Sequence, residues 1–127
     1  AGVYTNVSVT FTNCIFSGNY TTTNNGSPSY GAGLYNAGNS GSGGWIGTTL
    51  INCTFSGNKA GASSNARGGA IYNSGDIIIN NSIIYGNSSA GNQNGIHNNG
   101  GNVQTYKSLI GDSSQTTTTE NTINGNP

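Results

Sequence analysis

Asp76, Asp112 and Glu120 are the only acidic residues in this chain of 127, and three basic residues balance them to zero net charge. Acid–base cleavage of a glycan takes two carboxylates on opposite sides of the scissile bond. Calcium-assisted elimination takes a cluster of carboxylates and a base. Here Asp76 and Asp112 lie about one repeat apart, and Glu120 falls in the tail QTTTTEN. The expectation is that none is catalytic, so the chain is no enzyme, and that Asp76 shapes the turn in NSGD. His97 stands alone, without a second His or a Cys pair at ligand spacing, so no zinc or other metal site is expected. No motif calls for a cofactor. Arg67 and Lys59 flank the loop NKAGASSNARGG and read as solvated loop charges rather than a ligand clamp.

Charged residues make up 5% of the sequence, far below the usual quarter. Nucleic acid is excluded as a partner, because phosphate contacts need clustered Lys and Arg. No run is long and apolar enough to span a membrane. Asn, Gly, Ser and Thr solvate the surface instead of charge, which points to an extracellular or cell-surface setting. Disorder is not expected, since the apolar residues gather in short runs such as VSVTF, TTLI and DIIINNSII.

What would position these side chains is a repeat. TNCIFSGN and INCTFSGN place Cys14, Phe16 and Asn19 against Cys53, Phe55 and Asn58. NNSIIYGN is a looser copy, with Ser82, Ile84 and Asn87, and YKSLIGD continues the column with Ser108 and Ile110. GAGLYN, GGAIYN and NGIHN track these phrases and align Leu34, Ile71 and Ile96 in one column and Asn36, Asn73 and Asn98 in another. Strong phrases with elastic gaps indicate a solenoid. Each phrase alternates over a few residues between Gly and Asn boundaries, which is strand periodicity and not helical periodicity.

The chain is therefore predicted to be all-β: a right-handed parallel β-helix over residues 1–127, about four turns, with three short strands per turn. Phe16, Phe55, Ile84 and Ile110 should form one inner ladder, and Leu34, Ile71 and Ile96 a second. Asn36, Asn73 and Asn98 should stack at a corner and pair their amides from turn to turn. Cys14 and Cys53 occupy equivalent places; they are either a disulfide between turns or stacked thiols, and the Cβ directions of adjacent parallel strands favour thiols. Tyr35, Tyr72 and His97 form an outward column, open to sugar faces or simply packed across the turns. Asn-x-Ser/Thr sequons occur at Asn6, Asn19, Asn25, Asn52, Asn80 and Asn87, with Asn52 expected inside a packed strand. The runs TTT and TTTT are contiguous rather than periodic and do not make the flat Thr array of an ice binder.

The FSGN and GGAI phrases resemble the FxxN and GGAI repeats of polymorphic outer-membrane proteins and related bacterial adhesins. The order NCTFSGN, GGAIYN, NSIIYGN, YKSLIGD, NTINGNP is also similar to β-helix repeats of large secreted surface proteins of the Bacteroidetes type. The likeness covers residues 7–127, and NTINGNP lacks the Asp that those repeats carry near their end. It implies a bacterial surface stalk or passenger segment with neighbouring β-helix repeats as partners. The alternatives are a fibre subunit stacking end to end on copies of itself, a module that binds surface glycans, and, last, a polysaccharide lyase or hydrolase.

Overall fold

The structure, a computed structural model, describes residues 1–23, 26–38, 47–61, 64–112, 114, 118–120 and 122–125. Its first turn carries β1 (Val3–Thr5), β2 (Val9–Thr12), β3 (Ile15–Ser17) and β4 (Tyr20–Thr21). The second carries β5 (Leu34–Asn36), β6 (Gly47–Ile51), β7 (Thr54–Ser56) and β8 (Lys59–Ala60). The third carries β9 (Ile71–Asn73), β10 (Asp76–Asn80), β11 (Ile83–Tyr85) and β12 (Ser88–Ser89). The fourth carries β13 (Ile96–Asn98), β14 (Val103–Tyr106) and β15 (Leu109–Ile110), and β16 (Thr118–Glu120) and β17 (Ile123–Asn124) open a fifth.

Equivalent strands of successive turns pair in parallel to give four sheets: β1-β5-β9-β13, β2-β6-β10-β14-β16, β3-β7-β11-β15-β17 and β4-β8-β12. This is a parallel β-helix. The sheet of two-residue strands β4, β8 and β12 adds a fourth side to the three expected from the sequence. Those strands, YT, KA and SS, are too short to show alternation, so nothing in the sequence marks them. Among the described residues there is no α-helix, and no helix long and apolar enough to cross a membrane.

The phrase N-C/S-x-F/I-x-G-N is a set of instructions for two corners. Asn13, Asn52 and Asn81 turn the chain out of the second sheet with φ of 56°, 53° and 47°. Asn tolerates this left-handed conformation better than most residues because its short polar side chain bonds locally. Three strand residues follow, one of them buried. Gly18, Gly57 and Gly86 then turn the next corner at φ of 65°, 63° and 72°, where any side chain would be strained. Asn52 is thus an exposed corner residue and not a packed strand residue; its amide donates to Asn13 Oδ1 at 3.1 Å and accepts from Asn81 Nδ2 at 2.6 Å.

Alternation sends one set of side chains into the coil. Leu34, Leu50, Phe55, Ile71, Ile77, Ile79, Ile84, Ile96 and Val103 are fully buried there. Register places Phe16 against Phe55, Phe55 against Ile84 and Ile84 against Ile110. The two Phe rings stack at 4.3 Å and 6°. Leu34, Ile71 and Ile96 line up in the first sheet, with Val3 added below Leu34. Each buried aliphatic or Phe side chain contributes about 1.5–3 kcal/mol through removal from water, so this narrow stack supplies the main driving force.

Candidate functional site

Three ladders of polar side chains run along the coil, and they account for most of the residues that carry chemistry. In the first, Asn36 Nδ2 donates to Asn73 Oδ1 at 2.7 Å, and Asn73 Nδ2 donates to Asn98 Oδ1 at 2.9 Å. Asn36 also donates to the Asp76 carbonyl at 3.1 Å and accepts from the Thr48 hydroxyl at 3.0 Å. Asn36 and Asn73 are fully buried, so each amide answers backbone groups that have no water to turn to.

The second ladder starts from the last residue of FSGN. Asn19 Nδ2 donates to Asn58 Oδ1 at 2.9 Å, and Asn58 Nδ2 to Asn87 Oδ1 at 2.8 Å. Asn87 Nδ2 then donates to Asp112 Oδ2 at 2.8 Å. The same acceptors take the backbone N–H of Asn19, Asn58 and Asn87 at 3.1, 3.1 and 2.9 Å. Asn58 and Asn87 reach further, to the carbonyls of Phe16 and Phe55 at 2.8 and 3.0 Å. Asp112, a candidate acid in the sequence, is an acceptor in this ladder; its Oδ1 also takes the Gly86 N–H at 3.0 Å. The sequence alignment placed Asn19, Asn58 and Asn87 in one column, and the spacing of LIGD to FSGN is the signal that would have added Asp112.

The third ladder holds the thiols. Cys14 Sγ donates to the Thr12 carbonyl at 3.3 Å and Cys53 Sγ to the Ile51 carbonyl at 3.4 Å. Ser82 and Ser108 repeat the bond to the carbonyls of Asn80 and Tyr106, both at 2.8 Å. Each hydroxyl also accepts from the turn before: Cys53 N–H to Ser82 at 3.0 Å and Ser82 N–H to Ser108 at 3.1 Å. Both cysteines are free thiols, Cys14 half-buried and Cys53 buried. Burial pushes the Cys53 thiol above its ordinary range, which keeps it protonated and a donor.

Tyr35, Tyr72 and His97 are in register on the outer side of the first sheet, and Tyr4 extends the column by one ring. Neighbouring rings lie 5.3, 4.9 and 5.0 Å apart from Tyr4 to His97. The outward column is nevertheless largely covered. Tyr72 is 6% exposed and His97 9%. A strap precedes β5, β9 and β13: Tyr30 bridges Arg67 in parallel, and the Gly68 N–H donates to the Gln93 carbonyl at 3.0 Å. Tyr30 packs on Tyr72 at 4.4 Å. Burial, then the neighbouring Tyr35 and Tyr30, raises the Tyr72 hydroxyl. Burial, then the Arg67 guanidinium, lowers His97. Of the three candidates for glycan contact or cross-turn packing, Tyr72 and His97 are buried and Tyr35 is partly exposed. Tyr4, in VYT, went unread because the first-turn phrase has Thr5 where later turns have Asn.

Asp76 Oδ1 accepts from the Asn102 backbone N–H at 2.8 Å and its side-chain amide at 3.1 Å, so it ties the third turn to the fourth. Glu120 is exposed in β16. Among the described residues, no three His, Cys, Asp or Glu side chains come together as a metal would require. The sequon residues Asn19, Asn52 and Asn87 donate their amides within ladders, and Asn25 lies outside the described residues. Two clefts open on the first turn. One, of about 380 Å³, lies between Val3, Phe11, Cys14 and Phe16 at the axial face. The other, of about 250 Å³, lies between Thr21, Pro28, Tyr30 and Tyr35. No protein-family model, curated protein or solved structure matches this chain.

Proposed function

We propose that this chain is a non-catalytic structural and adhesive β-solenoid, a stalk or passenger segment exposed at a bacterial cell surface. The observation that carries the reading is how the carboxylates are used. Asp112 and Asp76 accept hydrogen bonds from the backbone of the preceding or following turn and so serve the coil. Asp112 uses three of its roughly four acceptor sites this way, and Asp76 uses both of those on Oδ1. The resemblance to adhesin repeats and the uncharged, Asn-rich surface support the cell-surface placement.

The test is direct. The protein is incubated with pectin, alginate and other acidic glycans while unsaturated and reducing ends are followed. No turnover is expected; turnover abolished in Asp76→Ala or Asp112→Ala would overturn the proposal.

The partner on this reading is another β-helix turn, from neighbouring repeats or from a second copy. The axial cleft favours it: Val3 and Phe11 are only half-buried there, and Asn19 stands at that end of its ladder. Intact mass spectrometry and imaging of native material separate the two sources. A much longer polypeptide indicates neighbouring repeats, and filaments of a chain this size indicate self-stacking. A soluble monomer of this size with an ordered, bare first turn would exclude both.

A further inference from the structure

The third ladder changes residue type partway along. Its first two rungs are Cys14 and Cys53, and its next two are Ser82 and Ser108. The hydroxyl meets every hydrogen bond of the position: it donates to the carbonyl two residues back and accepts the N–H of the rung before. A thiol is a weaker donor and acceptor, so hydrogen bonding does not account for sulfur at two consecutive rungs. The two sulfurs are also within reach of each other. Each cysteine follows a left-handed Asn, at Asn13 and Asn52, and stands just before β3 or β7, which pair in register from Ile15 and Thr54 onward. The Thr54 N–H donates to the Cys14 carbonyl at 2.9 Å, so the two backbones are hydrogen-bonded neighbours. Paired strands run about 4.8 Å apart, inside the roughly 4.4–6.8 Å that a disulfide spans between Cα atoms. The Cys14 thiol lies in hydrogen-bond contact with the Cys53 sulfur, and Cys53 Sγ reaches the Phe11 carbonyl of the first turn at 3.5 Å.

We propose that Cys14 and Cys53 are a redox pair, closing to an inter-turn disulfide with a small-molecule disulfide as oxidant and reopening in a thiol reductant. Cys53 is fully buried and burial holds its thiol protonated, so Cys14 is the first attacker. Its thiolate attacks one sulfur of the small disulfide, forms a mixed disulfide and expels one thiolate, which takes up the Cys14 proton. Cys53 then gives up its proton, and its sulfur attacks that of Cys14 and expels the second small thiol. Two protein thiols are oxidised by two electrons, and one small disulfide is reduced to two thiols. Parallel neighbours aim their Cβ bonds alike, so closure asks the side chains to turn toward each other. Little opposes that turn. The bonds given up are weak S–H donations, and the Ile51 carbonyl keeps the Asn13 N–H at 2.9 Å. Cys53 belongs to the apolar core and Cys14 packs against it, surroundings that suit sulfur in either redox state. Position along the chain also favours this pair. The interval from Cys14 to Cys53 is 39 residues, against 29 from Cys53 to Ser82 and 26 from Ser82 to Ser108. A bridge across the longest interval removes the most freedom from the unfolded chain, although the dependence on length is weak. The bridge joins two described turns and needs no open end of the coil. The proposal is independent of the structural role, which stands in either redox state.

The experiment equilibrates the full chain in graded mixtures of hydroxyethyl disulfide and mercaptoethanol, once in native buffer and once in concentrated urea. After an acid quench, intact mass and the count of free thiols give the fraction oxidised. A monomer lacking two hydrogens is expected. At fixed thiol concentration, half-oxidation in native buffer should need at least about tenfold less hydroxyethyl disulfide than in urea, because a bridge that fits the fold is harder to reduce there. The urea midpoint of the oxidised protein should lie above that of the reduced one and return on reduction. Cys14→Ser and Cys53→Ser take the residue of the later rungs, so each should fold as the reduced protein does and gain nothing from the disulfide buffer. If either variant disturbs the fold, the comparison of native buffer with urea on the unaltered protein still decides. Equal or harder oxidation in native buffer, a lowered midpoint after oxidation, or disulfide-linked dimers in place of the internal bridge would overturn the proposal.

Discussion

The ladder Asn19–Asn58–Asn87–Asp112 and the column Tyr4–Tyr35–Tyr72–His97 both run through the first four turns, yet they tolerate change differently. In the ladder the inner rungs Asn58 and Asn87 bond to fixed atoms above and below. One substitution therefore leaves neighbours on both sides unpaired. In the column, rings meet at tilts of 31–39° without a directional bond, and Tyr gives way to His at the fourth turn. Directional contacts fix residue identity, whereas stacked faces fix only size and flatness.

Asn58→Ala is the strongest way to test that difference. Asn58 is fully buried; its side chain accepts from Asn19 twice and donates to Asn87 and to the Phe16 carbonyl. Its loss leaves the half-buried Asn19 N–H without its acceptor and takes the amide donor from the Phe16 carbonyl, with a buried group left unsatisfied costing about 1–3 kcal/mol. A drop of about 2–4 kcal/mol in unfolding free energy is expected from urea denaturation. Tyr72→Phe keeps the ring and removes only the hydroxyl, which bonds to Ser74. It should cost about 1 kcal/mol. Equal losses in the two variants would erase the distinction between ladder and column.

The same contrast explains what could be read from the residues alone. The Asn36–Asn73–Asn98 stack and the Phe16–Phe55 ladder were legible because bonding and close packing demand the same residue in the same place at each turn. Phrases built on such demands repeat visibly. The cover over Tyr72 was not legible, since Tyr30, Arg67 and Gln93 share a strap position but no residue type. Backbone pairing holds that strap, and backbone pairing leaves little mark on side-chain identity. Asp112 went unread as a rung of the ladder for a related reason. A lone carboxylate suggests acid chemistry, but its place in the column after Gly111 makes it one more amide-accepting rung.

His97 sharpens the comparison through pH. Burial and then Arg67 lower its pKa from the ordinary 6.5, so the unfolded chain takes up a proton at higher pH than the folded one. The stability owed to the neutral ring is complete above 6.5 and is lost as pH falls from there to the folded pKa, with no further loss below it. His97→Tyr, which restores the ring used in the turns before, should remove this component. Denaturation midpoints of the two proteins, compared from pH 7.5 to pH 5, should diverge on the acid side, with the His97 protein falling faster. Parallel curves would mean that the imidazole is equally free to protonate in both states.

The smallest effect is expected where a ladder is exposed. Asn13, Asn52 and Asn81 bond like the buried amides, but water competes for every bond. Asn13 is the outermost rung and receives a single amide bond, 3.1 Å from Asn52. Its backbone sits at φ 56°, a conformation that glycine adopts without strain. Asn13→Gly thus gives up one solvated hydrogen bond and some unfolded-state entropy, and it gains relief at a left-handed corner. These terms oppose one another, and the net change should stay within about 0.5 kcal/mol. Asn13→Val keeps the corner but places a β-branched residue at positive φ, which should cost at least about 1 kcal/mol more than Gly. Measured side by side, the pair separates what the exposed Asn does as a rung from what it does as a bend. If Gly proves as damaging as Val, the amide bond and not the backbone conformation fixes Asn at this corner, and the exposed ladder belongs with the buried one.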